Sequence, residues 1–368
     1  MEAESIYFDR FTDDLGPEKI VHVYDPKTGM KGMVVVDNIA CGPAIGGVRI
    51  APDITIEEVF RLARAMTLKN AAAGLRHGGA KAGILGDPHL ADKEPLIRSF
   101  ARKIKNMIEY IPGPDMGTDE KCMGWVQDEI GRAVGLPKAL GGIPLDEIGA
   151  TAFGLAVVAE LALPHVGLEL KGATMAIQGF GNVGRHAARF LAERGVTLVG
   201  ACDSHGTVFS EGGLDVEGLI DIKEKQGTVL AYPGVEKLKT DEVMEVPCDI
   251  LIPAARPDAI NRDNVRAVKA KVIIEGANIP TTEEAEAILH RRGVLCVPDF
   301  IANAGGVICG AVEFQGGTEL QAFQTIREKI SRNTRAMLAL MGQEKLNPRQ
   351  AATRMATDRI HEAMHFHR

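Results

Sequence analysis

A chain of 368 residues, 45% hydrophobic and 25% charged, has the composition of an ordinary globular protein of about two domains. Its 42 Lys and Arg against 49 Asp and Glu leave a net charge of −7, which argues against a nucleic-acid partner, and no apolar run approaches the ~20 residues of a bilayer span. Six cysteines without a C-x-x-C pair argue against a disulfide framework or a thiolate zinc site and read mostly as buried thiols, and residues 1–10 lack the basic and apolar regions of a leader, so a cytoplasmic chain is expected.

In chain order, Ile20 to Tyr24 and Met33 to Val36 read as strands around a turn at Asp25-Pro26-Lys27-Thr28-Gly29. Thr55-Ile56-Glu57-Glu58 reads as a capping box opening a helix with Val59, Leu62 and Met66 on its apolar stripe. The next residue on that stripe is Lys69, and a lysine there must either snorkel out or serve a pocket. From about 151 the pattern changes to alternating strands and helices. Short apolar runs at Ala173 to Gln178, Val196 to Cys202, Cys248 to Ile252, Val272 to Ile274 and Val294 to Val297 suit parallel strands covered on both faces. The segment from Glu328 to His367 reads as helical and polar enough to lie on the surface or return to the first domain. The expected architecture is α/β: an N-terminal α/β domain over 1–150, a doubly wound Rossmann-type domain over 151–325, and a tail over 326–368 rejoining the first.

Gly179-Phe180-Gly181-Asn182-Val183-Gly184 follows one of these strands and opens a helix with Val183, Ala187, Phe190 and Leu191 on one stripe. In that context G-x-G-x-x-G places a pyrophosphate on the helix N-terminus. Asp203, about 20 residues further on, can accept from a ribose hydroxyl and would favour NAD over NADP by charge repulsion. Ser204-His205-Gly206 follows it and could turn the carboxylate away, which leaves NADP open.

Two further runs stand out: Gly78-Gly79-Ala80-Lys81-Ala82-Gly83, a lysine framed by small residues, and Pro114-Asp115-Met116-Gly117-Thr118, an acid in a Pro/Gly loop. An amine enclosed near a second cation loses proton affinity, so Lys81 suits a neutral base. Taken with Gly42-Pro43-Ala44-Ile45-Gly46-Gly47-Val48-Arg49, the run from Lys69 to Leu75, the glycine fingerprint, the run 276–285 and Asn303-Ala304-Gly305-Gly306-Val307, these occur in an order that resembles the glutamate/leucine/phenylalanine/valine dehydrogenase family over about residues 20–315.

That resemblance implies that the domain over 1–150 is the substrate-binding and oligomerisation domain, and it implies roles residue by residue. Lys81 is the catalytic lysine, Lys69 holds the substrate α-carboxylate, and Asp115 shuttles protons. Hydride leaves the α-carbon for the nicotinamide, Lys81 activates water against the resulting iminium, and ammonia departs. Thr151 and Asn278 approach the nicotinamide end, and Ala254 and Ala255 border the cofactor. Where the family's glutamate enzymes carry lysine in G-P-x-K-G-G and serine eighth in the N-A-G-G-V run, this chain has Ile45 and Gly310. With Gly46 beside it, Ile45 therefore implies an apolar L-amino acid substrate of the leucine, valine or phenylalanine kind. Other segments, including the run 276–285, look more like glutamate enzymes, so glutamate dehydrogenase stays as the alternative. A silent cofactor-binding scaffold is the rival of another class. NAD or NADP, an amino acid or 2-oxo acid substrate and a homo-oligomer are the partners implied. No metal is assigned: His361-Glu362-Ala363-Met364-His365 matches H-E-x-x-H, but too little chain follows to supply a third ligand and cleft, and it reads as a solvated helix end.

Overall fold

The computed structural model describes residues 11–366. Residues 1–10, read above for a leader, and His367, the end of the helical tail, lie outside that range. The chain divides into two compact units, one comprising residues up to Pro144, Val307–Ala322 and from Thr353 onward, the other Leu145–Gly306 and Phe323–Ala352. The first crossing falls close to the expected boundary at 150. The tail differs: it rejoins the first unit at Val307, leaves it at Phe323 and rejoins at Thr353.

The first unit is built on a five-stranded sheet in the order β1-β2-β4-β3-β5, with β1 Lys19–Asp25, β2 Met30–Asn38, β3 Ala44–Ala51, β4 Gly79–Leu85 and β5 Tyr110–Pro114. β1 and β2 form the expected hairpin, and β3 runs parallel to both β4 and β5. Alternation sorts β2 between two cores. Val34 and Val36 join Ile97, Phe100 and Met123 of helices α2 (Glu94–Lys103) and α3 (Glu120–Ile130), whereas Met33 and Val35 join Val59 and Ala63 of α1 (Ile56–Ala72). Thr55 caps α1 by accepting from Glu58 N at 3.2 Å. The reciprocal half of the capping box is absent, because the Glu58 carboxylate turns to Arg49 instead. The buried stripe is also rotated from the expected one: Ile56, Val59, Ala63 and Thr67 are buried, while Leu62 and Met66 are half-buried.

The second unit carries a seven-stranded sheet, β12-β11-β10-β6-β7-β8-β9. Five parallel strands coincide with the expected apolar runs: β6 Thr174–Gln178, β7 Thr197–Cys202, β10 Ile250–Pro253, β11 Val272–Ile274 and β12 Leu295–Val297. β8 (Thr207–Phe209) and β9 (Glu236–Leu238) extend it antiparallel at one edge. They are three residues each, too short for an alternation signal. Helices α4 (Ala150–His165), α5 (Asn182–Ala192), α6 (Val216–Gln226), α7 (Glu283–Arg291) and the short α8 (Asp299–Ala302) complete it. They are followed by α9 (Gly305–Phe314), α10 (Glu319–Glu344) and α11 (Pro348–Met364). The tail is thus two helices, broken at Lys345, whose φ of 54° no helix continues through. Arg349, in the first turn of α11, pairs with the buried Glu275, Glu286 and Asp299 at 3.1, 2.7 and 3.4 Å. Among the described residues no helix is long and apolar enough to cross a membrane.

Candidate active site

Three strands and two glycines bring the candidate catalytic groups of the first unit together. Lys81 lies on β4 opposite Val35, so it faces the α1 side of the sheet. Asp115 follows β5, and β3 lies between those strands. On β3, a Cβ at Gly46 would stand 1.7 Å from Ala80 O, and one at Gly47 would stand 2.8 Å from Asp115 Cβ. Only glycine permits both approaches. Across this gap Lys81 Nζ donates to Asp115 Oδ1. Arg49, also on β3, donates from Nε to Asp115 Oδ2 at 2.7 Å and from a terminal nitrogen to Glu58 Oε1 at 2.5 Å. Thr118 Oγ1 accepts from Asp115 N at 2.9 Å and donates to Val48 O at 2.8 Å, tying the loop to β3.

The electrostatics follow from this enclosure. Burial pushes the Lys81 ammonium below its ordinary range, against the pull of Asp115 and with help from Arg49. Burial would raise Asp115, but Lys81 and Arg49 outweigh it and hold the carboxyl below its usual value. A buried amine with depressed proton affinity beside an ionised carboxylate is a proton-transfer pair.

Lys69 is buried in the last turn of α1. A Cβ at Gly79 would lie 2.0 Å from Thr67 N, so the α1 backbone rests directly on β4 two residues before Lys81. Sequence reading missed Arg49 as the holder of Asp115, and missed Glu58 behind it. The available signal was the position of Arg49 at the end of the G-P-A-I-G-G-V-R run.

Beside these groups Ile45, Ile111 and Val134 form an apolar cluster. Gly310 on α9 faces it: an added Cβ would meet Val134 Cβ at 3.7 Å. One turn further on, Glu313 accepts from Leu136 N at 3.0 Å and Ile143 N at 2.7 Å, which pins the loop beyond Val134. Arg49 is committed to two carboxylates and Arg76 is exposed.

In the second unit the glycine run fits a dinucleotide. Gly179 has φ of +94°, and its Cβ would strike Ala255 at 2.7 Å; a Cβ at Gly184 would strike Gly179 O at 2.0 Å. A Cβ at Gly181 would meet nothing within 4 Å, and no side chain caps α5, so its first-turn N–H groups are left for an anion. Asn182 Nδ2 donates to Asp146 O at 3.0 Å, and Val183 is half-buried behind it. Ala254 N donates to Gln178 O at 2.7 Å at the end of the central strand. Asn278 Oδ1 accepts from Asn303 Nδ2 at 3.2 Å, and Thr151 Oγ1 lies 3.0 Å from where Gly306 would carry a Cβ.

Asp203 does end β7, but its carboxylate is occupied by protein groups. Lys223 Nζ donates to Oδ2 at 2.6 Å, as does Val229 N at 2.8 Å, and His205 N donates to Oδ1 at 2.8 Å. Burial alone would raise this carboxyl, but these donors hold it down at about 2. The expectation of an uncancelled acid that repels a 2′-phosphate therefore does not hold.

The two histidines of the H-E-x-x-H run are directed elsewhere, His361 Nε2 to Asp14 Oδ2 at 2.9 Å and His365 Nδ1 to His361 O at 2.7 Å.

Comparison with known proteins agrees with both halves. Residues 17–132 match the family described as Glu/Leu/Phe/Val dehydrogenase, dimerisation domain, and residues 141–368 match Glutamate/Leucine/Phenylalanine/Valine dehydrogenase. The chain is 39% identical to a glutamate dehydrogenase of Aeropyrum pernix, over 89% of this chain and 84% of that one. It is 36% identical to an NADP-specific glutamate dehydrogenase of Saccharolobus shibatae, over 95% and 89%. In structure it is similar to the hetero-hexameric glutamate dehydrogenase of Thermus thermophilus in its Leu-bound form, with a TM-score of 0.85 at 31% identity over 94% and 89% of the two chains.

Proposed function

The chain belongs to the glutamate/leucine/phenylalanine/valine dehydrogenase family, and on that premise we propose that it catalyses reversible, NAD- or NADP-dependent oxidative deamination of an L-amino acid to a 2-oxo acid and ammonia. The observation that carries this reading is the buried Lys81–Asp115 pair held by Arg49. A silent scaffold has no chemical use for a buried amine with weakened proton affinity.

Lys69, in the buried turn against β4, clamps the substrate α-carboxylate. The glycine run and the N-terminus of α5 would hold the pyrophosphate of NAD or NADP, which when bound would supply the acceptor for the hydride of the α-carbon. Lys81 in its neutral form takes a proton from the water that adds to the iminium carbon, and Asp115 carries protons to the nitrogen as it leaves. Gly46 and Gly47 let the β3 backbone come close enough to Ala80 and Asp115 for Lys81 and Asp115 to meet across it.

For the substrate side chain, the names of the Aeropyrum and Saccharolobus relatives support glutamate. On the comparisons that reading stands ahead of the apolar one expected from Ile45 and Gly310. One observation favours the apolar reading: Ile45 sits within the Ile111–Val134 cluster, where a distal carboxylate would be desolvated without a partner. The homo-oligomer is supported by the family description of residues 17–132 as a dimerisation domain.

Initial rates with glutamate, leucine, valine, isoleucine and phenylalanine, each with NAD and NADP, test the proposal. A highest kcat/KM with glutamate sets the apolar reading aside. Activity with none of the five contradicts the deamination itself.

A further inference from the structure

The ribose end of the dinucleotide site carries its own neutralising cation. An acid that ends the second strand of a dinucleotide fold selects NAD in two ways: it accepts from the ribose 2′-hydroxyl, and its charge repels a 2′-phosphate. The first needs a spare lone pair and the second an uncancelled charge. Asp203 offers neither. Oδ1 accepts from His205 N at 2.8 Å and Thr228 Oγ1 at 3.3 Å, and Oδ2 accepts from Lys223 Nζ at 2.6 Å and Val229 N at 2.8 Å. A carboxylate has about four lone-pair sites, so a ribose hydroxyl would have to displace one of these donors.

Lys223 is fixed at two points. Its ammonium also donates to Gly227 O at 2.7 Å, at the C-terminal end of α6 where Gly227 takes a φ of +77°. The neighbouring acid on that helix, Glu224, faces Arg185 at 2.9 Å and adds no uncancelled charge. Beyond Asp203, Ser204 and His205 are exposed, with Ser204 Oγ 3.3 Å from His205 Nδ1. They are polar groups at the strand end that the protein leaves accessible.

We propose that Lys223 determines cofactor preference: by cancelling Asp203 in place it removes the barrier to a 2′-phosphate, so the site takes NADP as well as NAD, with Ser204 and His205 meeting the phosphate. This rests on the dinucleotide reading above.

Calorimetric titration of the intact protein with NADH and with NADPH tests it without reference to turnover. The parent protein should bind the two with dissociation constants within about tenfold of each other. Lys223→Met, which uncovers the Asp203 charge, should weaken NADPH relative to NADH by at least about tenfold, since two like charges are then brought together. Adding Asp203→Asn to Lys223→Met should restore the parent ratio, because charge and not the shape of the turn is at issue. Parent protein that prefers NADH by a hundredfold or more, or an unchanged ratio in Lys223→Met, overturns the assignment. Binding of neither nucleotide by the parent would instead contradict the dinucleotide reading itself.

Discussion

Arg49 donates from Nε to Asp115 Oδ2 at 2.7 Å, on the oxygen opposite the one that meets Lys81. The guanidinium thereby fixes the carboxylate's orientation and helps keep it ionised despite its burial. Removing that cation should let burial raise the Asp115 proton affinity. In Arg49→Met, the acidic limb of the kcat/KM profile should move to higher pH, with kcat lower on the order of tenfold to a hundredfold. Arg49→Lys, which keeps the charge, should restore part of the loss. A profile that keeps its acidic limb in Arg49→Met would show that Arg49 does not act through Asp115.

Replacing the enclosed amine separates chemistry from binding. Lys81→Ala should lower kcat by at least about a hundredfold, the low end for a general acid–base group, with NADH affinity nearly unchanged. Titration and steady-state kinetics on the same preparation check both halves. Turnover at the parent rate would remove Lys81 from the reaction.

The apolar cluster of Ile45, Ile111 and Val134 can be recharged with two substitutions. Gly310→Ser fits, because its Cβ would sit 3.7 Å from Val134 in ordinary contact. Ile45→Lys places an ammonium in the cluster with Ile111. Together they should raise the kcat/KM ratio of glutamate to leucine by at least about tenfold, the scale of pairing a buried carboxylate. A ratio that does not move would mean that the glutamate carboxylate is met elsewhere.

Stability should respond to the buried cluster around Arg349. Glu275, Glu286 and Asp299 present three carboxyls to one guanidinium. Burial pushes Glu275 up to about 8, with Asp299 and Glu286 adding to the effect against the pull of Arg349. Its folded pKa thus exceeds the unfolded value of about 4.3, so the folded state binds the extra proton. The stabilisation is fully present below the unfolded value and is lost as pH rises through about 8. Denaturant unfolding followed between the two values, from about 4.3 up to about 8, should show a loss of stability that Glu275→Gln reduces, by up to about 1.4 kcal/mol per pH unit for one proton. Equal slopes in the two proteins would contradict a protonated Glu275.

Where the chain's structure was legible in its sequence, the signal was local. The glycine run with its strand and helix, the hairpin about Asp25 to Gly29, and the five buried strands each occupy a few consecutive residues. The misreadings come from partners distant in sequence. Glu58 has the spacing of a capping box, but Arg49 competes for its carboxylate across the fold. Asp203 follows β7 as its spacing suggests, but its partners Lys223 and Val229 arrive from the far end of α6 and the turn beyond it. Leu62 and Met66 satisfy helical periodicity as well as Ala63 and Thr67 do. The approach of β4 through Gly79 against Thr67 selects the second pair. The short strands β8 and β9 exist by pairing with β7, which no three-residue window announces.

The most direct test of the central claim is a product balance. Purified protein, an L-amino acid from the panel and NAD or NADP should give reduced cofactor, 2-oxo acid and ammonia in equal amounts, and Lys81→Ala should form all three at least about a hundredfold more slowly. Reduced cofactor without ammonia, or nucleotide binding without products from any of the amino acids, would contradict oxidative deamination by the Lys81–Asp115 pair.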